Sequence, residues 1–399
     1  MSEWKKVRLG DISIDGGHYG IGAAAVEYDE SLPTYLRITD IREDGTIIRE
    51  GLKSVDDPNA CEYYLKPNDL VIARTGASTG RNYFYDGRDG QLVYAGFLIR
   101  FSIDERKIWP PYVKYWFQGS EYRTWLLNHT DGSTRANINA VTLGDCPIYC
   151  PTDASTQRKI AAVLGALDDK IENNRKIGAN LEAQAQAIFK SWFVDFEPFG
   201  GKMPQGWKEV PLSSIATYLN GLAMQKYRPS DDEDSLPVLK IKELRQGFCD
   251  SASERCSASI DPRYIVHDGD VIFSWSGSLL VDFWCGGTAG LNQHLFKVYS
   301  VEYDKWFVFS WTNHYLASFI KIAADKATTM GHITRDHLDD AKVCIPFDSD
   351  IEQVGRVMKP LYDEIIAKRI ESRALAAMRD ALLPKLMSGE IDVEKVKVA

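Results

Sequence analysis

Two long stripes dominate the pattern of hydrophobic and polar positions. From Gln157 to Val194, alternate steps of four and three land on Ile160, Leu164, Leu167, Ile171, Asn174, Gly178, Leu181, Ala185, Ile188 and Trp192. That is the a/d seam of a coiled-coil helix, and no proline interrupts it. The same steps from Val354 give Met358, Leu361, Ile365, Lys368, Ser372, Leu375, Arg379, Leu382 and Leu386. Both stripes are mainly apolar at their ends and polar or small at their centres. A solitary helix with such a stripe must bury it somewhere, and two copies predict burial on each other. Antiparallel pairing places Asn174 and Gly178 near Lys368 and Ser372, where polar seam positions cost stability but fix register. Two unrelated amphipathic helices on separate domains are the alternative, but they give no reason for the matching polar centres.

Outside the stripes the pattern is one of short strands. Tyr35–Ile38, Leu70–Ala73, Leu92–Tyr94 and Phe97–Phe101 are β-rich runs cut by Gly, Asp and Asn. Pro111–Leu127 reads as one amphipathic helix, and Tyr303–Lys321 as its counterpart later in the chain. The expected class is α+β: two β-rich α/β globules in a pseudo-two-fold repeat, joined by two long helices forming an antiparallel coiled coil.

The repeat is visible in the residues. Trp4-Lys5-Lys6-Val7-Arg8-Leu9-Gly10-Asp11-Ile12 matches Trp207-Lys208-Glu209-Val210-Pro211-Leu212-Ser213-Ser214-Ile215. Leu32-Pro33 before Leu36-Arg37-Ile38 matches Leu236-Pro237 before Leu239-Lys240-Ile241, and Asp69-Leu70-Val71-Ile72 echoes Asp270-Val271-Ile272. A repeat of roughly 200 residues is far longer than a solenoid unit. The expected segments are a globule over 1–155, a long helix over 156–197, a second globule over 198–348, a second long helix over 349–391 and a tail over 392–399. A helix of roughly 33 residues is about 50 Å long, so an antiparallel pair holding one globule at each end acts as a ruler.

The 399 residues suffice for two or three domains with real cores. No apolar run is long enough to cross a bilayer, and the opening MSEWKKVRLGDI lacks the apolar core of a signal peptide. Seven cysteines without a CxxC pair read as reduced thiols in a cytoplasmic chain. The net charge of −9 opposes duplex binding by the surface as a whole. Binding then needs local basic groups or a basic partner.

Motifs for catalysis are missing. Arg74-Thr75-Gly76-Ala77-Ser78-Thr79-Gly80-Arg81 lacks the Gly-Lys-Ser/Thr ending of a phosphate cradle. Trp109-Pro110-Pro111-Tyr112 resembles an amino-methyltransferase motif, but tryptophan has no acceptor to hold an amino group. A proline pair starting a helix is the simpler reading. Asp168-Asp169-Lys170 lies off the seam and reads as a solvated face. His294 and His332 read as ordinary loop histidines, with no partner at metal-ligand spacing.

Polar loops at matching places are what remain, and Arg, Asn, Gln, Ser, Thr and His are the side chains that read base edges and phosphates. The candidates for binding DNA in the first half are Arg74, Thr75, Ser78, Thr79, Arg81, Asn82, Tyr83, Ser133, Thr134, Arg135 and Asn137. In the second half they are Ser274, Trp275, Ser276, Ser278, Gln293, His294, Thr329, His332 and Thr334. Any one of these loops alone is also an ordinary turn.

Several stretches together resemble the specificity subunit of type I restriction–modification systems, over nearly the whole chain. They are Gln157-Arg158-Lys159-Ile160-Ala161, Ile188-Phe189-Lys190-Ser191-Trp192-Phe193-Val194-Asp195-Phe196-Glu197-Pro198, Leu382-Leu383-Pro384-Lys385-Leu386-Met387-Ser388-Gly389-Glu390-Ile391 and Gly132-Ser133-Thr134-Arg135-Ala136-Asn137-Ile138. The second half departs from the last of these, with Gly331-His332-Ile333 in its place. The resemblance implies two target-recognition domains on double-stranded DNA, each reading half of a split asymmetric site, with the helices setting the gap. It further implies docking of two methyltransferase subunits and two restriction/translocase subunits. S-adenosylmethionine, ATP and magnesium would belong to those partners, with no cofactor, metal or catalytic residue in this chain. The rival readings are a stand-alone DNA methyltransferase or nuclease and a coiled-coil scaffold without a DNA role.

Overall fold

A computed structural model describes residues 3–130, 137–325 and 331–396. The chain divides into two compact units, Met1–Asp169 with Ala376–Ala399, and Lys170–Leu375. Both boundaries fall inside long helices, Ala154–Phe189 and Asp348–Met387, so each unit holds a piece of both.

In the first unit the strands are β1 Trp4–Arg8, β2 Ser13–Tyr19, β3 Ala25–Val26, β4 Thr34–Leu36, β5 Lys53–Val55, β6 Asp69–Ala73, β7 Asn82–Tyr85, β8 Leu92–Tyr94, β9 Leu98–Ile103 and β10 Pro147–Pro151. β1 lies antiparallel to β10, with Trp4 opposite Pro151. One four-stranded sheet runs β2-β9-β6-β7, all antiparallel. The other runs β3-β5-β4-β8, with β4 and β8 parallel. β6 is buried throughout, and its period-two alternation serves two cores. Leu70 and Ile72 join one with Tyr112 and Trp116, while Val71 and Ala73 join another with Leu36 and Tyr94.

The second unit repeats this plan with β11 Lys208–Pro211, β12 Thr217–Asn220, β13 Ser235–Leu239, β14 Arg255–Ser257, β15 Ile265–Val266, β16 Val271–Ser274, β17 Leu280–Phe283, β18 Ala289–Leu291, β19 Leu295–Tyr299 and β20 Lys342–Ile345. β11 pairs with β20 as β1 does with β10. The order β12-β19-β16-β17 copies β2-β9-β6-β7, and β13 runs parallel to β18 as β4 does to β8. The twofold division of β6 recurs in β16, where Val271 and Phe273 face one core and Ile272 another.

The helix expected over Pro111–Leu127 is two helices, Pro110–Trp116 and Ser120–His129. Gly119 stands in extended backbone at the break. Glycine is a poor interior helix former, and the serine after it suits a helix start. The counterpart in the second half, without a glycine there, is continuous over Lys305–Asp325.

The first long helix starts earlier than its seam does. Asp153 accepts from the backbone N–H of Thr156 at 3.0 Å and of Ser155 at 3.2 Å, and from the Thr156 hydroxyl at 2.9 Å. The Ser155 hydroxyl and these other bonds hold its carboxyl down at about 2. The helix ends in a π-turn over Lys190–Val194.

The two helices pair antiparallel within each unit. In the first, Ile160 and Leu164 share a core with Leu383 and Leu386, Lys159 meets Glu394, and Asp168 meets Arg379. In the second, Ala185 and Phe189 share a core with Val354, Met358, Tyr362 and Ile365. Leu167, Ile171, Leu181, Ile188, Leu361, Lys368, Leu375 and Leu382 are half-buried. The polar centre is real, with one change of partner. Asn174 is 2% exposed and donates Nδ2 to Glu371 at 3.0 Å. Glu371 also takes Lys368 at 3.2 Å and Lys170 at 3.5 Å, while the Ser372 hydroxyl turns to the Lys368 carbonyl.

Asp168 corrects the expectation of a solvated face. Its carboxylate accepts from Lys114 Nζ at 2.8 Å, Tyr115 Oη at 2.8 Å and Arg379 Nη1 at 3.0 Å. Burial pushes its carboxyl up, but Lys114, Arg379 and Tyr115 outweigh that and leave it below the usual range. A heptad seam marks one buried stripe. This helix also buries a second face against the globule that carries Pro110–Trp116.

Candidate nucleic-acid interface

The candidate residues in each unit gather where three pieces of chain meet at the end of the antiparallel sheet. In the first unit, the Arg74 N–H donates to the Phe97 carbonyl at 3.0 Å, and the Arg74 carbonyl accepts from Ile138 at 2.9 Å. Thr75 bridges to Asn137 in antiparallel register. The end of β2 completes the group: Arg74 lies over the Tyr19 ring, its guanidinium carbon 5.0 Å from the ring centre. Asn137, Tyr19 and Phe97 are exposed.

The second unit builds the same mount. The Ile333 N–H donates to the Trp275 carbonyl at 3.0 Å, and Ser276 bridges antiparallel to His332. The sheet register sets Ala73 opposite Leu98 and Ser274 opposite Leu295. It follows that Arg74 corresponds to Trp275, Thr75 to Ser276, Asn137 to His332, Phe97 to His294 and Tyr19 to Asn220. The chemistry differs at four of these positions, while Thr75 and Ser276 both carry a hydroxyl. Trp275 Nε1 donates to Asn220 Oδ1 at 3.1 Å, and its ring meets His332 edge-on at 6.2 Å. Ser276 Oγ and His294 Nδ1 are 3.0 Å apart. His294 is thus built into a cluster, where the sequence suggested a plain loop histidine.

A glycine fixes each mount. A Cβ at Gly20 would lie 2.2 Å from the Tyr94 carbonyl oxygen, and one at Gly221 would lie 2.2 Å from that of Asn292. The backbone there runs beside the neighbouring strand, with Ile21 N–H donating to Tyr94 and Leu222 N–H to Leu291.

Several candidates are buried or bonded within the fold. Asn82 is buried, donating to the Phe117 carbonyl at 3.0 Å, and Tyr83 donates to Asp89 at 2.6 Å. Burial, with Asp89 beside it, pushes the Tyr83 phenol far above its usual value. Ser78 is buried in its turn and Ser274 at the end of β16, and the Thr79 hydroxyl closes its own turn onto Gly76. Arg81 is tied to the Ile41 carbonyl at 3.2 Å and to Glu43 at 3.6 Å. Thr334 bonds His337 at a helix start. Gln293 is half-buried beside His294, and Ser278 is exposed beside a cleft of ≈ 350 Å³ lined in part by Leu279, Ile320 and Ala323. Ser133, Thr134, Arg135 and Thr329 lie outside the described residues. The sequence did not single out Tyr19, Phe97 or Asn220. Phe97 read as the first residue of a strand, and the position-by-position match of Tyr19 with Asn220 has no sequence similarity to reveal it.

The Gln157-Arg158-Lys159 start of the long helix also has a physical role. Gln157 donates to the Pro151 carbonyl at 2.7 Å and accepts from the Trp109 N–H at 2.9 Å. Arg158 sits 3.9 Å above the Trp109 ring. The helix is thereby clamped to both β10 and the Pro110–Trp116 helix. No helix among the described residues is long and apolar enough to cross a membrane.

Residues 1–183 match the family described as the type I restriction modification DNA specificity domain. The chain is 28% identical over 359 residues to the type I restriction enzyme MjaIX specificity subunit of Methanocaldococcus jannaschii, covering 84% of this chain and 81% of that one. It is 20% identical over 467 residues to the type I restriction enzyme HindI specificity subunit of Haemophilus influenzae, covering 98% and 100%. The crystal structure of a type I restriction–modification S subunit from M. genitalium shares the fold, with a TM-score of 0.57, 13% identity and 96% of each chain covered.

Proposed function

We infer that this chain is a member of the specificity-subunit family of type I restriction–modification systems, a reading supported by the match over residues 1–183 and by the likeness to the MjaIX and HindI specificity subunits. It recognises a DNA target sequence. In this reading each globule reads one half of a split, asymmetric site, and the paired long helices set the unread gap. Two methyltransferase subunits and two restriction/translocase subunits dock on it in the cytoplasm. S-adenosylmethionine, ATP and magnesium act in those partners, and this chain positions the chemistry without performing it.

The observation that supports two readers is the duplicated mount with unequal side chains. A strand end, a strand turn and a bridged loop converge in each unit, with Ile138 bonded to the Arg74 carbonyl in one and Ile333 to the Trp275 carbonyl in the other. One mount presents Tyr19, Arg74, Phe97 and Asn137, and the other Asn220, Trp275, His294 and His332. A shared frame carrying different donors, acceptors and apolar groups suits two different short words, because base-edge patterns in the major groove are distinct. The acidic net charge fits a complex whose other subunits supply much of the phosphate contact.

A gel shift of the chain complexed with its methyltransferase subunits, on a library of genomic fragments, tests this. The retained fragments are expected to share one split word. Equal retention of all fragments contradicts the reading.

A further inference from the structure

We propose that Arg74 reads a guanine in the half-site of the first globule, through the N7/O6 edge in the major groove, with Tyr19 as its positioning residue. The proposal rests on the DNA-recognition reading above and assigns one base to one side chain.

The first observation is that Arg74 has no counter-charge. Arg37, Arg49, Arg81, Arg88, Arg100 and Arg106 each have a carboxylate within 3.6 Å. Arg74 has neither an ion pair nor a side-chain hydrogen bond among the described residues, and its Nε is shielded from solvent without a partner. A guanidinium so placed keeps its terminal N–H donors for something outside the domain.

The second observation is rigidity. The Arg74 backbone is bonded on both sides, to Phe97 and Ile138. Its guanidinium lies over Tyr19, whose hydroxyl accepts from the Ala140 N–H at 3.3 Å. An aromatic beneath a guanidinium holds a weakly hydrated cation in place. What remains free is a planar two-donor edge in a fixed direction. That geometry suits a bidentate acceptor pair, and guanine N7 and O6 are the base-edge pair that arginine meets most often. A phosphate contact needs no such fixation, since a flexible side chain serves it equally well.

The third observation is the asymmetry. The corresponding residue of the second globule is Trp275, whose single N–H is already given to Asn220. The Arg74 contact therefore has no counterpart in the other half-site.

The test uses the chain in complex with its methyltransferase subunits, on duplexes carrying the sequence that complex methylates. 7-Deazaguanine, which lacks N7, replaces each guanine of both half-words in turn. At one position of one half-word it is expected to weaken binding about tenfold. Inosine there, which keeps N7 and O6, leaves binding unchanged. Arg74→Ala loses affinity for the unmodified duplex by a similar factor and becomes indifferent to that substitution. Arg74→Lys, which keeps the charge but not the planar fork and guards against loss of fold, weakens the discrimination while holding its affinity for non-specific DNA. No sensitive guanine, sensitivity that survives in both variants, or uniform weakening on every duplex would overturn the assignment of Arg74 alone. A wild-type complex that binds all duplexes alike would instead sink the recognition reading beneath it.

Discussion

At the scale of single residues, the buried charge of Asp168 is the contact with the largest predicted consequence. Its carboxylate serves Lys114, Tyr115 and Arg379 together. Removing one partner of a buried pair leaves the others uncompensated, a cost of about 3 kcal/mol. Asp168→Asn is therefore expected to lower the urea midpoint by that amount of stability at neutral pH. The pH dependence follows from the lowered carboxyl. Its ionised form favours the folded state. This contribution is complete above the unfolded carboxylate value of about 4 and is lost as pH falls through the lower native value. The gap between wild type and Asp168→Asn should narrow below about pH 4 and stay constant from about pH 5 to 7. A gap that widens in acid would contradict the sign. Gly20 and Gly221 make a second residue-scale case. Gly20→Ala or Gly221→Ala drives a methyl into a backbone carbonyl, which costs about 2 kcal/mol, read as a drop in thermal midpoint. Neither feature was legible in the sequence. Asp168 sits off a seam that marks one buried stripe, and the flanks of the two glycines, His18-Tyr19 and Leu219-Asn220, share nothing.

At the scale of elements, the two long helices were the most legible part of the chain, because only a helix with one buried face keeps apolar residues in alternate steps of three and four for so long. That they bury their stripes on each other was readable too, from the matching polar centres, while the antiparallel sense follows from pairs such as Lys159 with Glu394 and Asp168 with Arg379. The details were not. Glu371, off the seam, takes the bond from Asn174, since a straight α-helix falls about 20° short of two full turns per heptad and so drifts across its partner. Farther along, Phe189 and Phe193 are buried where the seam named Ile188 and Trp192. The Asn174 Oδ1 has no partner among the described residues and is buried. Asn174→Leu should thus raise stability by about 1 kcal/mol, as a seam polar group is a cost borne for register. Thermal unfolding of the complex-free chain measures it, and a drop in midpoint would show that the Glu371 bond outweighs the orphaned carbonyl. The strands were readable as runs, while the pairing of β1 with β10 and of β11 with β20 was not, because it joins residues more than 130 apart.

At the scale of the whole molecule, duplication is the fact from which the rest follows. Matched runs at Trp4 and Trp207 announced it in the sequence, and the repeated strand orders and loop bridges complete it. The candidate site was legible only as a set of loops. Which side chains face outward depends on strand facing and local bonding, with Ser78, Asn82, Tyr83 and Ser274 buried and Tyr19 and Phe97 exposed. The central claim is that each globule reads its own half-word. Methylome sequencing of a host carrying the system, before and after residues 205–346 are exchanged for the matching segment of a type I specificity subunit, tests it most directly. The expected result is a split motif in which one half-word changes while the other half-word and the gap stay as they were. A change in both half-words, or a motif without a gap, would contradict the account.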